Sequence, residues 1–129
     1  MERREKIRGF LITENEVRVA EFVPSLENYY KMLDCTLIDI ATRKIGAHYY
    51  DIICDDEGLL KENFRVTALN SNKEVMLVGN LLIVNHDNEG NEAGLTDKDI
   101  EEIEGKTFKI KQTLENGKRV SSWAIECEY

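Results

Sequence analysis

Residues 7–13 and 16–23 are two stretches of mostly apolar, β-forming positions interspersed with polar ones, with Glu14-Asn15 between them. Two such runs about a short polar turn predict a hairpin. Antiparallel pairing across that turn sets Ile12 against Val17 and Phe10 against Val19, which gives the pair one apolar face. The pattern changes after Pro24. Leu26, Tyr29, Tyr30 and Leu33 recur at helical spacing behind Ser25, a good N-cap, and predict a short helix over 25–33. Strands are expected at 36–40 and 48–54, joined by a basic turn, Thr42-Arg43-Lys44-Ile45-Gly46.

The stretch 49–60 is the sharpest change of character in the chain. β-forming residues run into Asp55-Asp56-Glu57, then Gly58, Leu59 and Leu60. Adjacent carboxylates resist burial, so the chain is expected to surface at Asp55, turn at Gly58 and return Leu59 and Leu60 to the core. A helical turn over 59–63 and a strand over 64–69 follow. Asn70-Ser71-Asn72 has turn chemistry, because these side chains bond their own backbone. The apolar run 75–78 is punctuated by Gly79-Asn80, which predicts a bend or bulge, before a buried strand over 81–85.

A polar loop over 86–92 leads to a second helix. Thr96 and Asp99 have capping-box spacing, Leu95 and Ile100 sit where a hydrophobic staple would hold them, and Gly105 ends the run. Asn116-Gly117 is a strong hairpin signal. A two-residue turn there sets Ile110 opposite Trp123, Phe108 opposite Ile125 and Lys106 opposite Cys127, with Phe108, Ile110, Leu114, Trp123 and Ile125 on one face. Such a ribbon is marginal alone, so its face must pack on the rest of the chain or on a second copy. The fold class is α+β: a mostly antiparallel sheet of hairpins with two short helices and a C-terminal β-hairpin. One domain of 129 residues is expected, a core over 8–104 with the hairpin at 106–127.

Composition narrows the function. The net charge is −8, which disfavours direct nucleic-acid binding and anionic membrane surfaces. No apolar run approaches a membrane span, and the charged first residues lack the apolar core of a signal peptide. Arg3-Arg4, Lys6 and Arg8 make a small basic end without interleaved aromatics, which reads as a solvated terminus. Three cysteines, Cys35, Cys54 and Cys127, each beside apolar residues, suit reduced buried thiols in a cytoplasm.

The candidate functional surface is the acidic turn, Asp55, Asp56 and Glu57, with Tyr50, His86 and Asp87. Asp51 and these acids with His86 invite an oxygen-rich cation site, but a solvated acidic loop fits them as well, and no tightly held metal is expected. Asp87-Asn88-Glu89-Gly90-Asn91-Glu92 fails as a calcium loop: Glu92 stands where glycine is required and Lys98 where the bidentate acid belongs. His48 and His86 have no nucleophile that spacing places beside them. No phosphate loop, dinucleotide fingerprint or paired-cysteine motif occurs. In each of the steps Tyr29-Tyr30 and Tyr49-Tyr50 one ring is expected in the core and the other half exposed, and exposed tyrosines are common interface anchors.

The arrangement of Ser25-Leu26-Glu27, Asp51-Ile52-Ile53-Cys54-Asp55-Asp56-Glu57-Gly58, Gly79-Asn80-Leu81, Asn85-His86-Asp87 and Leu95-Thr96-Asp97-Lys98-Asp99-Ile100 resembles a family known as domain of unknown function 3846. The resemblance covers about residues 8–104 and implies a small cytoplasmic protein of Gram-positive gut bacteria, their phages and mobile elements. It carries over no activity, cofactor or catalytic residue. The expectation is therefore a non-enzymatic accessory protein that binds another protein, with a homodimer as a further option. The alternatives are an acidic nucleic-acid mimic that inhibits a DNA-binding enzyme, and a metal-assisted hydrolase built on the acidic turn and His86.

Overall fold

The computed structural model describes residues 5–129; the Arg3-Arg4 part of the basic end lies outside them. The elements run β1 (Ile7–Ile12), β2 (Val17–Phe22), α1 (Leu26–Leu33), β3 (Ile38–Ile45), β4 (His48–Asp55), a 3-10 turn (Gly58–Leu60), β5 (Val66–Leu69), β6 (Val75–Val78), β7 (Leu81–His86), β8 (Glu92–Ala93), α2 (Asp97–Glu104), β9 (Thr107–Thr113) and β10 (Arg119–Glu126). This is the expected α+β class. The strands form two sheets, ordered β2-β1-β7-β4-β3 (with β8 on β7) and β6-β5-β10-β9. All pairs are antiparallel except β10 with β5, which is parallel.

The first sheet is covered on both sides. On one face Tyr29 and Leu33 of α1 meet Leu11, Phe22, Ile53 and Leu82. On the other, Phe10, Ile52 and Ile83 meet Ala68 and Ile125 of the second sheet and Ile103 of α2. Two-sided burial is why β7 reads as unbroken Leu81-Leu82-Ile83-Val84 rather than as an alternation. It also revises the first hairpin. Its predicted register holds, Ile12 against Val17 and Phe10 against Val19, but β1 is buried on both faces while Val19 on β2 is exposed.

Both helix starts are as the sequence predicts. Ser25 Oγ accepts the Asn28 N–H (3.1 Å), and Thr96 and Asp99 form a reciprocal capping box. Leu26, however, is exposed, because α1 lies on the sheet through Tyr29 and Leu33.

Several expectations are corrected. Thr42, Arg43 and Lys44 are not a turn. They continue β3, and the reversal is confined to Gly46-Ala47. A strand at a sheet edge carries charged residues readily, which is why their polarity misled. Gly79-Asn80 does not bend one strand: it passes the chain from the second sheet to the first, with Gly79 at φ +77°. Phe64 lies before β5, which starts at Val66.

The C-terminal register shifts by one. Leu114 and Lys118 close a three-residue loop, with the Leu114 N–H donating to the Lys118 carbonyl (2.8 Å) and Gly117 left-handed at φ +85°. That is the turn-plus-bulge alternative to a two-residue hairpin. Ile110 therefore faces Ser122, Phe108 faces Ala124 and Lys109 faces Trp123. The expected single apolar face divides. Trp123, Ile125 and Cys127 turn to the main core, while Phe108 and Ile110 share the other face with Ala124 and Ser122. β10 joins β5, so the hairpin is the outer half of the second sheet. Beyond β10, Glu128 pairs with Lys44 of β3 and ties one sheet to the other.

Candidate functional site

β4 is the axis of the candidate surface, and it separates the residues that the sequence grouped together. Its ends, His48 and Asp55, are roughly 23 Å apart at strand rise. Asp55, Asp56 and Glu57 lie at one end. Tyr50, His86 and Asp87 lie toward the other, because the antiparallel pairing of β4 with β7 sets Cys54 opposite Leu81 and Asp51 opposite Val84.

The residues at the Tyr50 end divide again by face. Tyr50 is buried and points toward α2. Its hydroxyl lies 2.9 Å from Asp99 Oδ1 and 2.9 Å from Glu102 Oε1. One hydroxyl proton cannot satisfy two carboxylates, and His48 supplies another: its Nδ1 is 2.8 Å from Glu102 Oε1. A carboxylate only accepts, so Nδ1 carries the hydrogen. The Ala47 N–H reaches Glu102 Oε2 at 3.2 Å, and the Asn85 amide reaches Asp99 Oδ2 at 3.3 Å. Burial, then the two carboxylates, push the Tyr50 phenol well above its usual range. Glu102 is held below its usual value, first by the bond from His48. Burial raises Asp99, but the bonds from Thr96 and Tyr50 outweigh it and leave the carboxyl low.

His86 points to the opposite face, toward α1. Its Nδ1 is 3.5 Å from Asp51 Oδ1, which also accepts from the Thr42 hydroxyl at 2.9 Å. Asp51 and His86 thus meet, as the cation-site grouping required, but away from the acidic turn. Asp87 folds its own loop. Its Oδ1 accepts the N–H groups of Glu89 and Asn91, both at 2.9 Å, which holds its carboxyl below the usual value. Among the described residues, no three His, Cys, Asp or Glu side chains form a group able to hold a metal.

The Asp55 end is built differently. Asp55 does not surface: its side chain is 4% exposed. Oδ2 meets Lys61 Nζ at 2.7 Å and Oδ1 accepts the Glu57 N–H at 2.9 Å. Lys61 also donates to the Asp34 carbonyl at the end of α1. This is how a strand-end carboxylate stays buried: a cation and a backbone donor replace water. Asp56 is exposed, and its N–H bonds the Leu37 carbonyl. The 3-10 turn then lifts Leu59 and Leu60 out of the molecule, 69% and 81% exposed, where a return to the core was expected. Gly58 lies against Val78, so the turn sits on β6 through its glycine while the leucines point away.

Two clefts open beside this turn. One, of about 370 Å³, is walled by Lys61, Asn63, Arg65, Asn80 and Glu14, with Asp55 reaching its lining. The other, of about 290 Å³, runs between β6 (Val75–Val78) and Asp39, Asp56 and Leu59. Leu37, Ile40, Leu59, Leu60 and Val75 are all exposed at this end. Lys61, Arg65, Asn80 and this apolar set are what sequence reading missed. The faint signal was Lys61, six residues past Asp55 across a glycine turn. The thiols split too. Burial pushes Cys54 and Cys127 up to about 11. Cys35 is half-buried rather than buried, beside Asp55 and Lys61, and burial raises it as well.

Among known proteins, a family model described as a domain of unknown function (DUF3846) matches residues 7–108, from the start of β1 into β9. No curated protein and no solved structure matches the chain. Among the described residues, no helix is long and apolar enough to cross a membrane.

Proposed function

The chain belongs to the family described as domain of unknown function 3846, and from that premise we propose that it is a non-enzymatic module that binds another protein through the Asp55 end of β4. One observation carries the reading. Leu59 and Leu60 stand 69% and 81% exposed on a three-residue turn rimmed by Asp56 and Glu57. Single exposed leucines are ordinary, but Leu59 faces Val75 across a cleft bordered by Asp39 and Asp56, with Leu60 exposed beside it. An apolar centre inside a charged rim is the usual anatomy of a protein interface. The matching partner surface is apolar with a basic border. The role of an accessory protein of a phage or mobile element rests on the family resemblance alone; a cytoplasmic setting rests on that resemblance and on the three free thiols.

The two alternatives receive less support from the geometry. A nucleic-acid mimic needs acids displayed in a row, whereas Asp55 is paired with Lys61, and Asp99 and Glu102 hold Tyr50. A metal-assisted hydrolase needs His86 beside the acidic turn, and the length of β4 lies between them.

The test is a photo-crosslinking residue at Leu60 in the full chain, expressed in its own cell, with Val19 on the opposite sheet edge as the control position. A discrete protein adduct from position 60, absent from position 19 and lost with Asp56→Lys, is expected. Equal adducts from both positions, or none from position 60, would overturn the proposal.

A further inference from the structure

Deepening that reading, and resting on it, we propose that β3 is a strand-addition site: its outer edge takes an extended segment of the partner in which basic and apolar residues alternate. The edge reveals its own polarity. Lys44 exchanges both backbone bonds with Glu128, donating at 2.8 Å and accepting at 2.9 Å, so its N–H and C=O point away from β4. Backbone direction alternates along a strand, which turns the same groups of Thr42, Ile40 and Ile38 outward. The inward set agrees: the Leu37 carbonyl bonds the Asp56 N–H across the β3–β4 ladder. Among the described residues, Glu128 is the one strand partner on the outer side, and it covers a single position.

Beyond Lys44, two of the outward groups bond side chains of β3 itself. The Ile40 N–H bonds Asp39 Oδ1 at 2.9 Å, and the Thr42 carbonyl accepts from Arg43 Nη1 at 3.0 Å. Both bonds are local and exposed, and an added strand would replace them with ladder bonds. Edges are protected by brevity, by charged side chains or by a covering element. This one is eight residues long, carries its charges at Asp39, Arg43 and Lys44, and has a strand partner at one position, which leaves 38–42 with Asp39 as its one charge. Its antiparallel contact with Glu128 already has the geometry of strand addition.

Side-chain chemistry sets the occupant. Asp39 points into the groove shared with Asp56, Leu59 and Val75, while Ile40, on the other face of the same edge, is 46% exposed. A strand laid along residues 38–42 therefore meets Asp39, with Asp56 beyond it, on one face and Ile40 on the other, while Arg43 lies on the Asp39 face past that span. That calls for Lys or Arg opposite Asp39 and a β-branched apolar residue opposite Ile40.

The probe is a capped Lys-Val-Lys-Val-Lys peptide added to the isotopically labelled full chain, followed by amide shifts and hydrogen exchange. The Ile38, Ile40 and Thr42 amides should shift and exchange severalfold more slowly. Asp39→Lys should weaken binding about tenfold, and a capped Glu-Val-Glu-Val-Glu peptide should not bind. Ile40→Pro removes an outward N–H, which an edge strand tolerates, and should abolish binding, whereas Ile40→Ala should retain it. If the proline variant misfolds, a peptide N-methylated at alternate residues decides the matter by failing to bind. The proposal is overturned if the N-methylated peptide binds equally, if the perturbed amides lie elsewhere, or if no shift occurs. Concentration-dependent protection of these amides without peptide would overturn it in favour of pairing between two copies. A Leu60 crosslink that survives Ile40→Pro would overturn the strand-addition mode while leaving the protein-binding reading intact.

Discussion

At one end of β4 the Tyr50 hydroxyl is enclosed by Asp99 and Glu102, with His48, Ala47 and Asn85 completing the bonds. At the other end Asp55 is enclosed by Lys61 and the Glu57 N–H, yet the chain just beyond it exposes two leucines. Both ends bury a polar group, and both satisfy it, as burial demands. They differ in what surrounds the polar group. The Tyr50 end is capped by a helix whose own N-terminal box fixes Asp99, so the polar network locks α2 to the sheet. The Asp55 end is capped by a 3-10 turn that returns nothing apolar to the core. Polar satisfaction at the first end serves the fold. At the second it holds a loop in a shape whose outer side is unused by the fold, and that is the side we assign to a partner.

The largest effects are expected at the Tyr50 end. Tyr50→Ala should cost about 3–5 kcal/mol in denaturant unfolding, as buried aromatic truncations do. Tyr50→Phe keeps the ring and removes the shared proton, and should cost about 1.5–3 kcal/mol, the worth of a hydrogen bond to charged acceptors. If Tyr50→Phe is neutral, the network is incidental and α2 is held by Ile103 and Leu95 alone.

The same network fixes the acid response. Asp99 and Glu102 are held below their usual 3.8 and 4.5. A depressed carboxylate stabilises the fold above its unfolded value and loses that contribution as pH falls through the lower folded value. Melting temperature should therefore drop as pH is taken from neutrality down through this range. Glu102→Gln should flatten the drop. An unchanged slope would mean that Glu102 is not coupled to folding.

Asp55→Asn tests the other end. The half-exposed Lys61 keeps access to water and to the Asp34 carbonyl, so the loss should be modest, about 1 kcal/mol. A much larger loss would make the Asp55 end as structural as the Tyr50 end. Thiol labelling sharpens the same contrast: Cys35, half-buried beside Lys61, should react before Cys54 and Cys127, which should wait for unfolding.

Local chemistry was readable in the sequence wherever one turn of chain decided the outcome. Ser25, the Thr96–Asp99 box and the β1–β2 register are of that kind, since each depends on neighbours in the chain. What failed depended on contacts between distant segments, or on a choice between two turns of similar energy. Asn116-Gly117 serves a two-residue or a three-residue loop, and the structure takes the latter, which moves every cross-strand pair by one. Asp55 was placed in water because Lys61 could not be placed beside it. Tyr50 was grouped with the acidic turn on the candidate surface and is instead the core ring of its pair, buried on Asp99 and Glu102, some fifty residues along the chain. The candidate surface was thus half legible: the acidic turn was located, while the groove, the lysine and the exposed leucines emerge only from the assembled sheets.

The smallest expected effect carries the most weight. Leu60→Ser removes the most exposed leucine of the described chain, which touches solvent over 81% of its surface. A side chain so placed contributes little burial, so the change in stability should stay within about 0.5 kcal/mol of zero, as for ordinary surface substitutions. Leu59→Ser should behave alike. If Leu60→Ser instead destabilises by 2 kcal/mol or more, a scale typical of core truncations, Leu60 is packed in solution. The turn would then be part of the core, and the contrast between the two ends of β4 would collapse. If stability is unchanged and the crosslinked adduct at that turn is lost, Leu60 is held outside for a partner. Equilibrium denaturation and the crosslink, measured on the same variant, separate these outcomes, because a residue kept for the fold moves the first and a residue kept for binding moves only the second.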